Sequence, residues 1–356
     1  MGEEREIAGV DQAALAQWME RQGLSGGPIR KVEALSGGSQ NILVRFERGW
    51  RNFVLRRPPL HLRANSNETM RREARVLGAL AASDVPHPAL VAACPEEDVL
   101  GAAFYLMAPI DGFNPVNGLP ESHHDAAVQR RMGFALVEGL AALHAVDHVA
   151  AGLGDFGKVD GFLERQVARW RAQLDSYADL PGWPGQAELG DVAGVAAWLE
   201  ANRPSCFSPG ILHGDFHLAN VMYRHDAPEL AAIIDWELAT IGDPLVDLGW
   251  MLSTWPEAAD GGMLDVAPWN GFPTGAELVA HYAARSRRSL ARMDWYGVFA
   301  CYKFAILLEG TYARACAGKA PKDVGDRLHK RSSWLLARAT RWINEGAFRA
   351  AEGIGA

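Results

Sequence analysis

Along the chain, apolar residues recur first at helical and then at strand spacing. Ala14, Leu15, Trp18 and Met19 mark one face of a helix over residues 7–22, which Gly26-Gly27-Pro28 ends. Three short apolar runs, 32–35, 42–46 and 53–55, predict strands, the last two joined by a turn at Arg48-Gly49-Trp50. Met70, Ala74 and Leu77 give the inner face of a helix over 67–81, with Asn65, Ser66 and Asn67 all able to cap it. Residues 86–91 and 103–107 predict two further strands, and a Gly/Pro-rich connector runs from Asp111 to Pro120.

Beyond that connector the pattern turns helical. Helices are predicted over 126–146, 160–177 and 192–201, and a strand-loop-strand unit over 211–235. The remainder is helical apart from a Gly/Pro-rich break at 255–273. The class is α+β with two lobes, a small antiparallel-sheet lobe over 1–110 and a larger, mostly helical lobe over 111–356. With 356 residues, 49% of them hydrophobic, the chain can bury both cores.

Charge changes this picture in one place. The net charge of −8 disfavours nucleic acid as a partner. Yet residues 281–350 hold 14 Lys/Arg against 5 Asp/Glu, a net of +9, so the rest carries −17. Such a basic region fits an anionic partner or an internal contact with the acidic remainder. The acidic start of the chain does not read as a secretory signal, and no apolar run approaches a membrane span. Four cysteines without a CxxC pair suit reduced thiols, so a cytoplasmic location is expected.

The densest chemical signal is His213-Gly214-Asp215-Phe216-His217-Leu218-Ala219-Asn220, followed by Ile233-Ile234-Asp235-Trp236-Glu237. Phosphoryl transfer from ATP needs oxygen ligands for magnesium and a carboxylate where an incoming hydroxyl can leave its proton. Asp215 and Asn220 are five apart on one loop, the spacing of a kinase catalytic loop. Asp215 is expected as the catalytic base, and Asn220 and Asp235 as the metal ligands. His213 is expected to organise the loop, whereas His217 fits either a substrate contact or a surface residue. Asp243 and Asp247 read as braces of the loop or helix caps. His144, Trp170, Trp236 and Trp250 read as packing.

With its His-Gly-Asp, four-residue gap, Asn and Ile-Asp, the chain resembles the aminoglycoside phosphotransferase superfamily. Asp235-Trp236-Glu237-Leu238-Ala239-Thr240-Ile241-Gly242-Asp243-Pro244, Leu55-Arg56-Arg57-Pro58-Pro59 and Gly152-Leu153-Gly154-Asp155-Phe156-Gly157-Lys158 narrow the likeness. They resemble the kinase-like domain fused to some animal acyl-CoA dehydrogenases and its stand-alone bacterial relatives, over about residues 35–252.

The resemblance implies a protein-kinase-like fold and a cofactor pair of ATP and Mg2+. It places Gly37, Gly38 and Ser39 over the phosphates, although Gly-Gly is also an ordinary hairpin turn. Arg56 stands where kinases carry Lys, facing Glu73 on its helix. Residues 104–108, with Met107, would border the adenine. The implied acceptor is a small molecule bearing a hydroxyl, a hydroxy acid or its coenzyme A thioester. Lys158, Arg165, Arg314, Lys319 and Lys322 are the candidates to clamp its anionic groups. An aminoglycoside or other amino-alcohol is the alternative acceptor. A nucleotide- or acyl-CoA-binding pseudokinase is the alternative class, favoured by Arg56 alone.

Overall fold

The computed structural model describes residues 9–24, 26–35, 41–257 and 261–348. The expected phosphate loop, Gly37, Gly38 and Ser39, lies outside them. Five strands form one antiparallel sheet: β1 (Ile29–Ala34), β2 (Ile42–Arg48), β3 (Arg51–Arg57), β4 (Leu90–Cys94) and β5 (Phe104–Met107), in the order β1-β2-β3-β5-β4. β2 and β3 close on the pair Arg48↔Arg51, with Gly49 at φ 60° supplying the left-handed step of the turn. β4 starts later than the apolar run 86–91 predicts. Pro86 and Pro88 have no N–H to give a ladder, so pairing begins at Leu90.

Each sheet face carries a helix. α1 (Gln12–Arg21) is capped by the Asp11 carboxylate, which accepts from the amides of Ala13 and Ala14 at 2.9 Å. Its Leu15, Trp18 and Met19 pack with Phe46, Phe53 and Phe104. The buried Arg48 fastens it, donating to Ala16 O at 2.8 Å and to Glu20 Oε1 at 2.7 Å. α2 (Ser66–Leu80) covers the other face through Met70, Ala74 and Leu77. None of its three candidate caps works through a side chain at the helix end. Ser66 Oγ accepts from Arg63 N and Asn67 Oδ1 from Ala103 N, tying the helix start to the loops around it.

The second lobe contains α3 (Ala126–Ala145), α4 (Gln166–Asp175), α5 (Val192–Ala201), α6 (Leu245–Thr254), α7 (Gly275–Ala283), α8 (Met293–Cys316) and α9 (Lys322–Glu345). α4 begins later than the expected 160, because Gly161 at φ 61° closes a turn ahead of it. α6 is buried along its whole length, and α8 packs against both α6 and α9. Two small antiparallel pairs lie near the lobe boundary: β6 (Gly210–Leu212) with β9 (Thr240–Gly242), and β7 (Val221–Tyr223) with β8 (Leu230–Ile233).

The Gly/Pro-rich stretch after α6 is held firmly in its described part. Arg338 of α9 donates to the carbonyls of Ser253, Trp255 and Gly261 at 3.0, 2.8 and 2.8 Å. Trp269 and Phe272 stack on one another, and Trp255 meets both edge-to-face. No helix among the described residues is long and apolar enough to cross a membrane.

Candidate active site

β6 delivers the chain to His213 and Gly214. The buried Asp247 carboxylate of α6 accepts from both of their amides, at 2.6 and 2.9 Å. Gly214 sits at φ 89°, and a Cβ there would meet Leu238 O at 2.5 Å, so only glycine fits. His213 pairs through Nε2 with Ile234 O at 2.8 Å. That pairing puts the proton on Nε2 and leaves Nδ1 to accept from Asp215 N at 3.3 Å. His213 thus organises the loop, as expected. His144 is a core histidine, with Nδ1 2.8 Å from the Tyr282 hydroxyl.

The Asp215 carboxylate is held on both oxygens. Trp250 Nε1 donates to Oδ1 at 2.8 Å, His217 Nε2 lies 3.2 Å from the same oxygen, and Asn220 Nδ2 donates to Oδ2 at 2.9 Å. Burial alone would raise its pKa. The hydrogen bonds from His217 and Trp250 and the adjacent imidazoles of His217 and His213 outweigh this and hold the carboxyl well below the usual range. His217 is therefore neither a surface residue nor free for a ligand. It is buried, accepts from Ala219 N at 3.1 Å, and turns its other nitrogen to Asp215. Trp250, read from the sequence as packing, also has a polar task. It lies three residues after Asp247 on α6, so one helix face serves the loop twice.

Asp235 follows β8 with a left-handed backbone, φ 67° and ψ 65°, which an aspartate tolerates better than most residues. Its Oδ1 takes Arg56 Nη2 at 2.9 Å, and Arg56 Nε reaches Glu73 Oε2 at 2.9 Å. The Tyr105 hydroxyl donates to the same Glu73 oxygen at 2.7 Å. Burial pushes Glu73 up to about 7, against the opposing pull of Arg56 and of the Tyr105 hydrogen bond. Glu237 flanks Arg56 at 3.9 Å. Met107 ends β5, opposite Val54 and Leu90.

Asp235 and the Asn220 amide oxygen could hold a hard cation, since both are oxygen donors and Ile234, next to Asp235, donates its amide to Asn220 O. The Asn220 amide nitrogen already serves Asp215, which leaves its oxygen for another partner. Among the described residues no group of three or more His, Cys, Asp or Glu side chains is arranged to hold a metal. A sparse oxygen set is the kind magnesium takes, because it keeps several waters.

The expected anion clamp is not gathered at this site. Lys158 is exposed, and Arg165 is spent donating to the carbonyls of Lys158 and Asp160. Arg314 donates to Thr311, Lys319 is exposed at the α8–α9 turn, and Lys322 pairs with Asp326 at 2.7 Å. A different cation reaches the loop. Lys303 of α8, half-buried, points its Nζ at Gly214 O, 3.4 Å away, and lies 4.4 Å from the centre of the Trp250 ring. The one sequence signal for it was a single charge inside the apolar run 295–308.

Residues 31–296 match the phosphotransferase enzyme family. The chain belongs to that family. Among curated proteins, the phosphotransferase is 27% identical to acyl-CoA dehydrogenase family member 10 of Mus musculus, over 97% of this chain and 32% of that protein. It is 28% identical to acyl-CoA dehydrogenase family member 11 of Gallus gallus, over 90% of this chain and 42% of that protein. The phosphotransferase thus spans about a third to two-fifths of these relatives' length.

Among solved structures, it is similar to a Ralstonia eutropha JMP134 protein assigned to the aminoglycoside phosphotransferases. The TM-score is 0.76 and the identity 28%, with 93% of this chain and 98% of that one covered. The GDP complex of aminoglycoside 2'-phosphotransferase-IIIa shares the fold, with a TM-score of 0.62 and 16% identity over 92% of this chain and 99% of that one. The fold is therefore the protein-kinase-like fold of the aminoglycoside phosphotransferases.

Proposed function

We propose that this chain transfers the γ-phosphoryl group of ATP, with magnesium, to the hydroxyl of a hydroxy acid or hydroxyacyl-coenzyme A. The observation that carries the transfer is the Asp215 carboxylate, ionised and locked by Trp250, His217 and Asn220, with Asp235 one residue past Ile234, whose amide donates to Asn220 O at 2.9 Å. In the acceptor complex an Asp215 oxygen takes the hydrogen bond of the hydroxyl and fixes its direction. Held below the usual carboxylate range, Asp215 is a weak base. It accepts the proton late, as the new oxygen–phosphorus bond forms, so positioning dominates. Asn220 and Asp235 would hold the magnesium, which neutralises phosphate charge. Arg56, kept in place by Glu73, would reach the phosphates with its planar fork.

Two observations favour an acyl acceptor. The curated relatives carry acyl-CoA dehydrogenase in their names, and the cation beside Asp215 is Lys303, which would repel a polycationic aminoglycoside. The test is magnesium-dependent ATP consumption against kanamycin, choline, homoserine, 4-hydroxy acids and their coenzyme A thioesters. Turnover confined to the hydroxyacyl compounds is expected, with Asp215→Ala losing about 10²–10⁴ in kcat while still binding ATP. Turnover with kanamycin alone would overturn the acceptor. An Asp215→Ala variant that keeps most of its kcat would overturn the mechanism.

A further inference from the structure

α8 crosses behind the catalytic loop, and one charged side chain interrupts its apolar run. Between Asp294 and Glu309 that residue is Lys303. A buried or half-buried ammonium is normally met by a carboxylate, because its desolvation must be offset. Lys303 has no carboxylate within ion-pair distance among the described residues. Its neighbours are the Gly214 carbonyl at a long 3.4 Å and two indole rings, Trp250 at 4.4 Å and Trp170 at 5.6 Å.

Aromatic faces stabilise a cation without consuming its N–H groups. An ammonium has three donors, and the Gly214 carbonyl takes one. Two remain for a ligand. Burial brings the group down to about 8 against the pull of Asp247 and Asp215, the cost of keeping this charge without a pair.

The position is specific. Trp250 is the residue that donates to Asp215 Oδ1, so the ring beneath Lys303 also fixes the carboxylate that meets the acceptor. Asn220, an expected metal ligand, holds Oδ2, whereas the indole beside Lys303 holds Oδ1. Phe304, next along α8, packs on Trp250 with ring centres 4.5 Å apart and keeps the arrangement stiff.

We propose that Lys303 is the acceptor-side anion-binding residue, receiving the acceptor's carboxylate while Asp215 receives its hydroxyl. The proposal deepens the hydroxy-acid reading above and rests on Asp215 as the acceptor-binding carboxylate. It makes Lys303 and Trp250 a specificity pair, in which the ring supports both charges that the acceptor bridges.

The experiment compares 4-hydroxypentanoate with pentane-1,4-diol, which keeps the hydroxyl and replaces the carboxylate with a neutral group. Binding is read by calorimetry, with and without Mg-ATP, and turnover by ATP consumption. Wild type is expected to prefer the acid. Lys303→Met should weaken the acid by about 10- to 100-fold, the range of a lost charged hydrogen bond, and the diol by far less. Lys303→Arg should recover part of the loss. No preference of wild type for the acid overturns the proposal. So does an equal loss for acid and diol, which would make Lys303 a support for the loop only. Acid binding that depends on Lys303 without any ATP consumption would overturn the kinase reading and leave the anion site standing.

Discussion

Asp243 shows what burial does to a single carboxylate here. The Tyr296 hydroxyl donates to its Oδ2 and Leu245 N to its Oδ1, yet burial outweighs both bonds and pushes it up to about 6. A carboxyl raised above its unfolded value near 3.9 binds its proton more tightly in the native state. Its contribution to stability is full below about pH 4 and is lost as pH rises through 6. Asn at this position keeps one oxygen for Leu245 N, turns an amide donor to the Tyr296 oxygen as a protonated carboxyl would, and never ionises. Asp243→Asn should therefore gain about 1–3 kcal/mol on wild type between pH 4 and 7.5, read from denaturant melts at the two values. Parallel stability profiles would refute it. Glu73 follows the same rule, raised by burial even though it faces Arg56, and that facing was legible because Glu73 shares the helical face of Met70 and Leu77.

At the scale of elements, α2 is tied to the second lobe by two arginines. Arg72 Nη2 donates to Phe156 O at 3.1 Å and Ala239 O at 3.2 Å, and its guanidinium lies 3.9 Å from the centre of the Phe156 ring. Arg75 donates to Gly152 O at 2.7 Å and pairs with Asp155. The Gly152–Lys158 stretch, conspicuous in the sequence without an assigned task, is thus the docking point of α2. Gly157 lets the same stretch lie against β9: a Cβ there would lie 2.6 Å from Ile241 N. Arg72→Met should raise amide hydrogen exchange along α2 by about 10-fold and leave α8 unchanged. Equal exchange in α2 would show the tie to be idle. Elements with a strong period, such as α3 and α5, were readable to within a residue. Trp250 and Lys303 were not, because their tasks arise only when α6 and α8 pack behind the loop. Nor does a count of Lys and Arg along the chain say where each points, and Arg165 and Lys322 turn out to be spent locally.

For the molecule as a whole, ligand and stability are linked across the two lobes. Asp235 belongs to the helical lobe and meets Arg56 of the sheet, so a cation held there joins both. Mg-ATP at 100 times its Kd should stabilise the fold by about 2.7 kcal/mol, seen as a raised Tm. Chelation of magnesium, or Asp235→Ala, should abolish the shift whatever each does to the Tm without ligand. A full shift in Asp235→Ala would remove this residue from the metal site. The same joints have a wider consequence. With α2 already docked and Glu73 already on Arg56, this part of the described site is assembled before any ligand arrives. A guanidinium set in advance would spare an incoming anion the cost of ordering it.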